Sequence, residues 1–370
     1  MKIIHIIPNL KKGGAERLVL NILQELSNRP NIDAILVTFS DQNDYSFLSK
    51  SINWKVIPSK FIPSIKGKVT IDVENLQLFF DNFKPDVVHS HLFESEMVLT
   101  KIKFAPNTKR VFHFHDNMRQ LRKFSIRTLI NKQLLTDYYE RKLVLKSYSE
   151  RTLAICISED TYKYAEKVLP KRIQKKLLYN AIDLNRFTPS IAPKINFEIT
   201  IIGSLVDKKG QALAIESIGL LKQRGINVKL NVLGDGPNLE QLKVLSNQCN
   251  VEESIFFHGN QDYPEQFLQR SSIYLHTAIY EPFGLVLIEA MACGLPIVST
   301  DGFGNRALIK DGENGFMFWE RDAGLIADTI QFLIKNDLVR NKMGESAIKF
   351  ASNFGLTSYV GKLLGVYKIS

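Results

Sequence analysis

The chain has 370 residues, 45% of them hydrophobic and 23% charged, which excludes a disordered protein and leaves room for two domains. Its three cysteines, Cys156, Cys249 and Cys293, lie far apart, which argues against a disulfide framework or a zinc site and indicates a reducing cytoplasm. The formal net charge is +10, and no run of about 18 apolar residues predicts a membrane-spanning helix.

The first half alternates short β-branched runs with helical stretches, the pattern of a parallel sheet flanked by helices. The apolar run in MKIIHIIPN is too short for a signal peptide and predicts a first buried strand. Gly13 and Gly14 predict a tight turn into a helix from about Ala15 to Leu26, with its first N–H groups facing outward. Ser158 predicts the N-cap of a later helix. The predicted strands are Ile3–Ile7, Ala34–Phe39, Trp54–Ile57, Val87–His89, Arg110–Phe114 and Thr152–Ile157.

Two pairs of histidines stand at strand ends, in the sequences DVVHSHLF and RVFHFHDNMR. Because alternate residues of a strand share a face, His89 should lie beside His91, and His113 beside His115. The pairs suggest a metal site, but no carboxylate or cysteine completes a tetrahedral set, so no metal is predicted. His113 is predicted to be a packed strand residue.

Pro189 and Pro193 predict an interdomain linker near residues 188–195. The second half then restarts with a predicted strand, Glu198–Ile202, followed by Gly203, Ser204 and a turn that leads into a helix from Gln211. A further strand and turn are expected in LNVLGDGPNLEQL, and another strand in IFFHGN.

The stretch YEPFGLVLIEAMACGLPIVSTD, residues 280–301, contains two carboxylates. Pro282 predicts a loop at Glu281, whereas Glu289 falls about one and a half turns into the helix that follows. Gly284 allows backbone to approach a ligand, and the first N–H groups of the helix favour anions and hydroxyls. A loop carboxylate and a helix carboxylate could therefore reach two parts of one ligand.

This stretch closely resembles the signature of retaining glycosyltransferases of family 4, which have the GT-B fold. The resemblance covers nearly all of the chain and is most specific from residue 199 to residue 318. It implies an α/β protein with two Rossmann-like domains that face each other across a cleft. The implied domains are an acceptor-side domain (1–188), a nucleotide-sugar-binding domain (189–353) and a C-terminal helix (354–370) that returns to the first domain.

The resemblance also implies roles for individual residues. The implied catalytic residues are His115, Glu281 and Lys209. The implied donor-binding residues are Gly13, Gly14, Gly203, Ser204, Lys209, Phe283, Gly284, Leu285, Val286 and Glu289, with Glu289 on the ribose hydroxyls. The implied acceptor-side residues are His91, Asn117 and Arg119. Ser204 stands where the family has an arginine, so a bidentate cation is missing from the diphosphate site, and Lys208 or Arg306 could replace it.

The implied reaction transfers a hexose or a similar sugar from a nucleoside diphosphate to a hydroxyl of a glycan or lipid-linked acceptor, with retention. Assembly of a bacterial surface polysaccharide, such as lipopolysaccharide or capsule, would use such a reaction. No Asp-x-Asp sequence occurs, so neither a metal nor another cofactor is expected. The alternatives are a nucleotide-sugar epimerase of the same fold and a non-catalytic nucleotide-sugar-binding module. A dehydrogenase is disfavoured because no G-x-G-x-x-G follows the first strand.

Residues 101–176 carry 19 basic and 7 acidic side chains, which accounts for the positive charge. Nucleic acid is not expected as a partner, because no recognition motif accompanies the charge. We expect this segment to contact the anionic inner face of the cell membrane, to which each Lys or Arg contributes about 1 kcal/mol. The protein would then be cytoplasmic and peripheral, and a plain solvated surface is the alternative. The apolar residues interleaved with the charges are Leu121, Phe124, Ile126, Leu143, Val144 and Leu145.

Overall fold

The computed structural model describes residues 1–62, 70–123, 132–190 and 197–368, and the contacts within it divide the chain into two compact units. The first unit comprises Met1–Ala181 and Leu356–Ser370, and the second comprises Ile182–Gly355. The second unit thus begins a few residues before the expected boundary at 188/189. Pro193, in the expected linker, lies outside the described residues.

The first unit is built on a parallel sheet. Its strands are β1 (Lys2–Ile7), β2 (Asp33–Thr38), β3 (Trp54–Val56), β4 (Phe61–Ile62), β5 (Thr70–Ile71), β6 (Val87–His91), β7 (Lys109–Phe114), β8 (Thr152–Cys156) and β9 (Gln174–Leu177). Its helices before the second unit are α1 (Gly14–Ser27), α2 (Ser46–Ser49), α3 (Glu74–Phe83), α4 (Leu92–Leu99), α5 (Lys132–Ser147) and α6 (Glu159–Val168). Among the described residues, seven parallel strands form one sheet in the order β3-β2-β1-β6-β7-β8-β9, and β4 pairs with β5.

The six predicted strands of the first half are confirmed, with ends that differ by one or two residues. Most residues of β1, β6, β7 and β8 are buried, because helices cover both faces of a parallel sheet. The seventh strand, β9, has the polar sequence QKKL and lies at the edge of the sheet, so no hydrophobic pattern revealed it. Ser158 caps α6 as predicted, through a capping box with Thr161.

The second unit repeats this architecture. Its strands are β10 (Glu198–Ile202), β11 (Lys229–Leu233), β12 (Ile255–Phe257), β13 (Ile273–His276), β14 (Ile297–Thr300) and β15 (Gly315–Phe318). Its helices are α7 (Gln211–Gln223), α8 (Leu239–Gln248), α9 (Glu265–Arg270), α10 (Leu285–Ala292), α11 (Ala323–Lys335) and α12 (Asp337–Ala351). In the described residues these six strands form a parallel sheet in the order β12-β11-β10-β13-β14-β15.

The last helix, α13 (Leu356–Lys368), belongs to the first unit, as predicted. Its residues Tyr359, Leu363 and Tyr367 are buried in the same cluster as Ile3 of β1 and Leu18 of α1. This apolar stripe, with its spacing of four residues, packs α13 against α1 and the sheet.

The carboxyl ends of parallel strands meet at one edge of their sheet, where ligands bind in folds of this type. In the first unit that edge carries the residues after β1, β6 and β7, and in the second unit those after β10, β13 and β14. These segments hold the candidate residues of the sequence. Within the described part of the chain, no helix combines the length and the apolar composition needed to span a membrane.

Candidate active site

Two candidate catalytic side chains of the second unit form an ion pair. The Lys209 Nζ lies 2.6 Å from the Glu281 Oε2, and the two side chains are 19% and 9% exposed. Burial on its own would raise the pKa of Glu281, but the charge of Lys209 and hydrogen bonds from Lys209 and backbone hold that pKa below its ordinary value. Glu281 is therefore a carboxylate at neutral pH.

A short turn before α7 places Lys209 beside that carboxylate. The Ile279 N–H donates to the Lys208 carbonyl at 2.8 Å, and the Thr277 hydroxyl donates to the Gly210 carbonyl at 2.8 Å. Gly210 has a φ of +66°, and a Cβ there would lie 2.0 Å from the Thr277 carbonyl oxygen. The glycine is therefore needed for the turn to approach the segment that follows β13.

The loop after β14 also packs closely against the backbone of Glu281 and holds it in place. Its N–H donates to the Gly302 carbonyl at 2.9 Å, and its carbonyl accepts from the Gly304 N–H at 3.0 Å. A Cβ at Gly304 would lie 2.0 Å from the Pro282 carbonyl oxygen, so no larger residue fits. Between the two glycines, Phe303 adopts a φ of +69°, which is rare for an aromatic residue. The loop after β14 thus supports the loop that carries the carboxylate.

His276, at the end of β13, also contacts Glu281, and sequence reasoning missed it. Its Nε2 lies 3.5 Å from the Glu281 Oε2, and its side chain is 3% exposed. Burial lowers the pKa of His276 to about 4, so the ring is neutral at pH 7 and the contact is not an ion pair. The only sequence signal was a histidine at a strand end, as in the first half of the chain.

The predicted donor-binding helix α10 begins as expected. Gly284, with a φ of +101°, is its N-cap, and Leu285 and Val286 are half-buried in its first turn. Phe283 and Glu289 are buried, at 2% and 1% exposure. The helix N-terminus offers free N–H groups and a positive partial charge next to Glu281. The contact of Glu289 with ribose stays a prediction.

The predicted phosphate loop follows β10. The Gln211 side-chain amide donates to the carbonyls of Gly203 and Ser204, at 3.3 and 3.1 Å, and so ties the loop to the start of α7. The Lys209 side chain runs beside Gly203, because a Cβ on that glycine would lie 3.5 Å from the Lys209 Cδ. Ser204 is exposed. Its position would accept a longer side chain without disturbing the core.

Arg306, which the sequence offered as a substitute for the missing arginine, is engaged elsewhere. Its Nε and Nη2 donate to the two Asp301 carboxylate oxygens at 2.8 and 2.6 Å. Its guanidinium also lies 4.9 Å from the Phe303 ring centre and 5.0 Å from that of Trp319. Asp301 already neutralises this cation, whereas Lys208 is exposed beside Lys209.

In the first unit, the glycine loop after β1 is closed by residues that sequence reasoning missed. The Gly13 N–H donates to the Tyr45 hydroxyl at 2.8 Å, and that hydroxyl donates back to the Gly13 carbonyl at 2.7 Å. A Cβ at Gly13 would lie 2.2 Å from a carboxylate oxygen of Glu16. The Gly13 N–H is therefore already bonded within the first unit, and Gly14 is the first residue of α1, one residue before the predicted start.

Five histidines lie side by side on the first sheet, because His5 of β1 joins the four that were predicted. His5 pairs in register with His89, and His91 pairs with His113. All five are buried, with exposures of 0% except for His115 at 9%. Burial lowers the pKa of His5 and of His115 to about 3, and holds the other three well below the usual range. The cluster is therefore uncharged at neutral pH.

The cluster contains two sets of three histidines that could hold an ion: His5-His89-His91 and His91-His113-His115. In each set, one ring nitrogen of every residue lies within 4.8 Å of a ring nitrogen of the other two. A metal ion must lie near the plane of every imidazole that ligates it. The rings are instead stacked: those of His113 and His115 are 4.2 Å apart at 22°, and those of His89 and His91 are 4.4 Å apart at 27°. This stacking disfavours a metal, and its absence stays a prediction.

The residues expected on the acceptor side have partners within the first unit. His91 is fully buried and its Nδ1 lies 2.9 Å from the His115 Nε2, so it supports His115 rather than facing a ligand. The Asn117 amide donates to Asp160 at 2.7 Å. Arg119 lies 3.2 Å from the Asp137 carboxylate, and its side chain remains 53% exposed.

The apolar residues of the basic segment do not form the surface that the sequence suggested. Leu121 and Val144 are fully buried, whereas Leu143 and Leu145 pack partly buried against the same cluster. Phe124 and Ile126 lie outside the described residues. Arg141 donates to the carbonyls of Leu121 and Val168, at 3.1 and 3.3 Å, so its guanidinium stabilises the fold of the first unit. The exposed cations of this segment include Lys123, Lys132, Lys142 and Lys146.

Two family models match successive parts of the chain, from residue 12 to residue 350. The model described as Glycosyltransferase Family 4 matches residues 12–186, and the model described as Glycosyl transferases group 1 matches residues 186–350. Together they span both units.

Similar proteins include bacterial glycosyltransferases. A poly(glycerol-phosphate) alpha-glucosyltransferase of Bacillus subtilis is 27% identical over 45% of this chain, which spans only 25% of that enzyme. The N-acetylgalactosamine-N,N'-diacetylbacillosaminyl-diphospho-undecaprenol 4-alpha-N-acetylgalactosaminyltransferase of Campylobacter jejuni is 25% identical, over 94% of each chain. Among solved structures, that of Anabaena Alr3699/HepE in complex with UDP and glucose superposes with a TM-score of 0.80 over 99% of each chain, at 20% identity.

The two Rossmann-like sheets, the carboxylate and lysine at the strand ends and the two family matches lead to one conclusion. This chain is a glycosyltransferase that belongs to glycosyltransferase family 4 and has the GT-B fold.

Proposed function

We propose that this enzyme transfers a sugar from a nucleoside diphosphate sugar to a hydroxyl of a lipid-linked glycan, with retention of the anomeric configuration. The observation that carries the proposal is the buried Lys209–Glu281 pair beside the N-terminus of α10. A cation, a helix N-terminus and a carboxylate within one unit suit a ligand that combines a diphosphate with sugar hydroxyls.

Each group has a part in the proposed mechanism. Departure of the diphosphate builds negative charge, which positioned cations and N–H groups stabilise. The Lys209 ammonium has three N–H donors, and Glu281 accepts one of them, so two remain for phosphate oxygens. Glu281 holds the ammonium in place and has a second oxygen for a sugar hydroxyl. Because Lys209 neutralises it, the carboxylate does not repel the diphosphate.

The names of similar proteins support the choice of substrates. The Campylobacter relative is named for transfer to a sugar on diphospho-undecaprenol, in an alpha linkage. The Anabaena structure holds UDP and glucose. We infer a uridine nucleotide sugar as the first donor to test and a polyprenyl diphosphate-linked glycan as the acceptor class, within bacterial surface polysaccharide assembly.

A thermal stabilisation screen of nucleotide sugars tests the donor. A ligand at 100 times its Kd should stabilise the folded protein by about 2.7 kcal/mol and raise its melting temperature. We expect one nucleotide sugar to do so, and its nucleoside diphosphate to retain part of the effect. Absence of stabilisation by every nucleotide sugar, at millimolar concentration, would contradict the donor proposal.

We also propose that the exposed lysines of the basic segment bring the enzyme to an anionic membrane, where a lipid-linked acceptor resides. Each contributes about 1 kcal/mol near such a surface, so four contribute about 4 kcal/mol. The test variant replaces four of them with serine: Lys123, Lys132, Lys142 and Lys146. The control variant replaces four exposed lysines of the second unit: Lys222, Lys335, Lys342 and Lys349.

Sedimentation with anionic liposomes at low salt distinguishes these variants. The test variant should lose most of its binding while its melting temperature stays unchanged, and the control variant should still sediment. Equal loss in both variants would show a general charge effect. Failure of the unaltered protein to sediment at all would refute the membrane proposal.

A further inference from the structure

Tyr367 of α13 and four histidines form a continuous row of hydrogen bonds in the core of the first unit. The Tyr367 hydroxyl lies 2.6 Å from the His89 Nδ1 and 3.2 Å from the His5 Nε2. The His5 Nδ1 lies 3.0 Å from the His91 Nε2, and the His91 Nδ1 lies 2.9 Å from the His115 Nε2. None of the five is more than 9% exposed, so water competes little for these contacts.

Every member of this row has a single proton to donate. Burial keeps the four imidazoles neutral at pH 7 by lowering the pKa of each, and it raises the pKa of the Tyr367 hydroxyl. A neutral imidazole has one N–H and one bare nitrogen. As long as the Tyr367 hydroxyl donates its own proton within the row, reversing one hydrogen bond forces the next to reverse, and the row has only two consistent arrangements.

The two arrangements differ in where the surplus N–H lies. When all protons point toward His115, the surplus N–H is on the His115 Nδ1. When all point the other way, it is on the His89 Nε2, which is buried with no hydrogen-bond partner among the described residues. A buried, unpaired N–H is rare and costs about 1–3 kcal/mol, whereas the 9% exposed His115 can donate to water or a ligand. The first arrangement is therefore favoured.

We propose that the buried row fixes His115 as the tautomer that carries its proton on Nδ1, so that an N–H donor is presented at the carboxyl end of β7. His91, whose Nδ1 donates to the His115 Nε2, is the positioning residue in this account. His115 then donates a hydrogen bond to an oxygen of the sugar or the acceptor, and it does not act as a base. The contact with a substrate rests on the proposed function, but the tautomer does not.

Long-range 1H–15N correlation of histidine-labelled protein tests the tautomer without any substrate. The chain has seven histidines, so the His115 signals can be assigned by their disappearance in His115→Gln. Protonated and bare ring nitrogens differ widely in 15N chemical shift. We expect a protonated Nδ1 and a bare Nε2 on His115 in the unaltered enzyme at pH 7.5. The opposite pattern, or a charged ring, would overturn the proposal.

A matched pair of variants tests the role of the row. Tyr367→Phe removes the hydroxyl that starts it. Tyr359→Phe, on the same helix, removes a hydroxyl that is equally buried but has no hydrogen-bond partner among the described residues. In Tyr367→Phe a reversed row would leave its surplus N–H on the His5 Nε2, which is fully buried and has lost its partner, so the preferred direction of the row is unchanged. We therefore expect both variants to keep the His115 15N resonances in place. Resonances that move toward the average of the two tautomers in Tyr367→Phe would contradict the proposal.

Measurements of kcat test whether the His115 tautomer matters for the reaction. His115→Leu, which removes the N–H donor, should lower kcat by about tenfold, the equivalent of one hydrogen bond of about 1.4 kcal/mol. Tyr367→Phe and Tyr359→Phe should keep the full kcat. Full kcat in His115→Leu, or an altered tautomer with full kcat, would overturn the link between the tautomer and turnover. If no donor is turned over at all, the proposed function fails while the 15N result still decides the tautomer.

Discussion

Glu281 and Lys209 depend on each other, because each is largely buried and neither has enough water to stabilise its charge alone. We predict that Lys209→Met destabilises the fold by about 3 kcal/mol, since it leaves a buried carboxylate without its nearest cation. Glu281→Gln should act similarly, and the double variant should lose at least about 1 kcal/mol less than the sum. Urea unfolding of the three variants measures this coupling, and additive losses would contradict the paired arrangement.

Substitution of Ser204 tests whether the predicted diphosphate site has the shape that the family resemblance implies. Ser204 is exposed at the end of β10, so Ser204→Arg should fold normally and preserve or tighten binding of the nucleoside diphosphate. A bidentate arginine contact adds about 1.5–3 kcal/mol to the binding free energy, so the Kd of the nucleoside diphosphate should fall by tenfold or more if the guanidinium reaches the phosphates. Ser204→Gln supplies length without charge and should show no gain in titration calorimetry. Loss of binding in an intact Ser204→Arg fold would mean that the loop has a different course.

Sequence alone could propose Glu281, Lys209 and the glycine positions as candidates, because they lie in contiguous motifs whose order along the chain is informative. It could not find His276 or Tyr367. Their contacts are between strands and helices that are distant in the chain, and a lone histidine or tyrosine in an apolar segment has no distinctive pattern. Gly13 shows the same limit, because only the fold reveals that Tyr45 already binds its N–H.

At the scale of elements, the first sheet should be sensitive to acid. An unfolded histidine takes up a proton below about pH 6.5, whereas folded His5 and His115 do so only near pH 3. Between these values the unfolded state holds more protons, so stability is complete above pH 6.5 and falls as the pH falls. Each such group contributes about 1.4 kcal/mol per pH unit, and these two together about 2.7 kcal/mol.

Fluorescence of a Trp319→Phe protein measures this prediction, because Trp54 of β3 is then the remaining tryptophan and reports on the first unit. The urea midpoint should drop markedly between pH 7.5 and pH 5.5. His113→Leu removes one buried imidazole whose ring nitrogens have no partner among the described residues, so it should make the pH dependence shallower by about 1.4 kcal/mol per unit. A midpoint that is independent of pH would show that the histidines are not buried and neutral.

The elements themselves were largely predictable. Apolar runs predicted the six strands named for the first half and β10, β11 and β12 of the second unit, since burial on both faces favours hydrophobic residues. β13, which carries His276, was not predicted. The edge strand β9 escaped because its exposed polar sequence has no such signal. In the basic segment the sequence pattern gave the opposite error. Leu121 and Val144 lie among charged residues in the sequence and were predicted to be at the surface, but both are fully buried in the core beside α5.

At the scale of the molecule, two units with similar parallel sheets each bring candidate residues to the carboxyl ends of their strands. The first unit carries His115 and its row of histidines, and the second carries the ion pair and the N-terminus of α10. The resemblance in sequence implied candidate residues in both halves of the chain, and the two family models match residues 12–186 and 186–350. The identity of the sugar and of the acceptor depends on details that no short motif encodes.

Acceptor-dependent release of nucleoside diphosphate tests the central claim most directly. The enzyme is mixed with the nucleotide sugar chosen by thermal stabilisation, with and without a polyprenyl diphosphate-linked glycan, and the product is examined by NMR. We predict release only when the acceptor is present, a product that keeps the anomeric configuration of the donor, and at least about tenfold slower turnover in Lys209→Met and Glu281→Gln. Release without an acceptor, conversion of the donor into another nucleotide sugar, binding without turnover, or an inverted product would contradict the account.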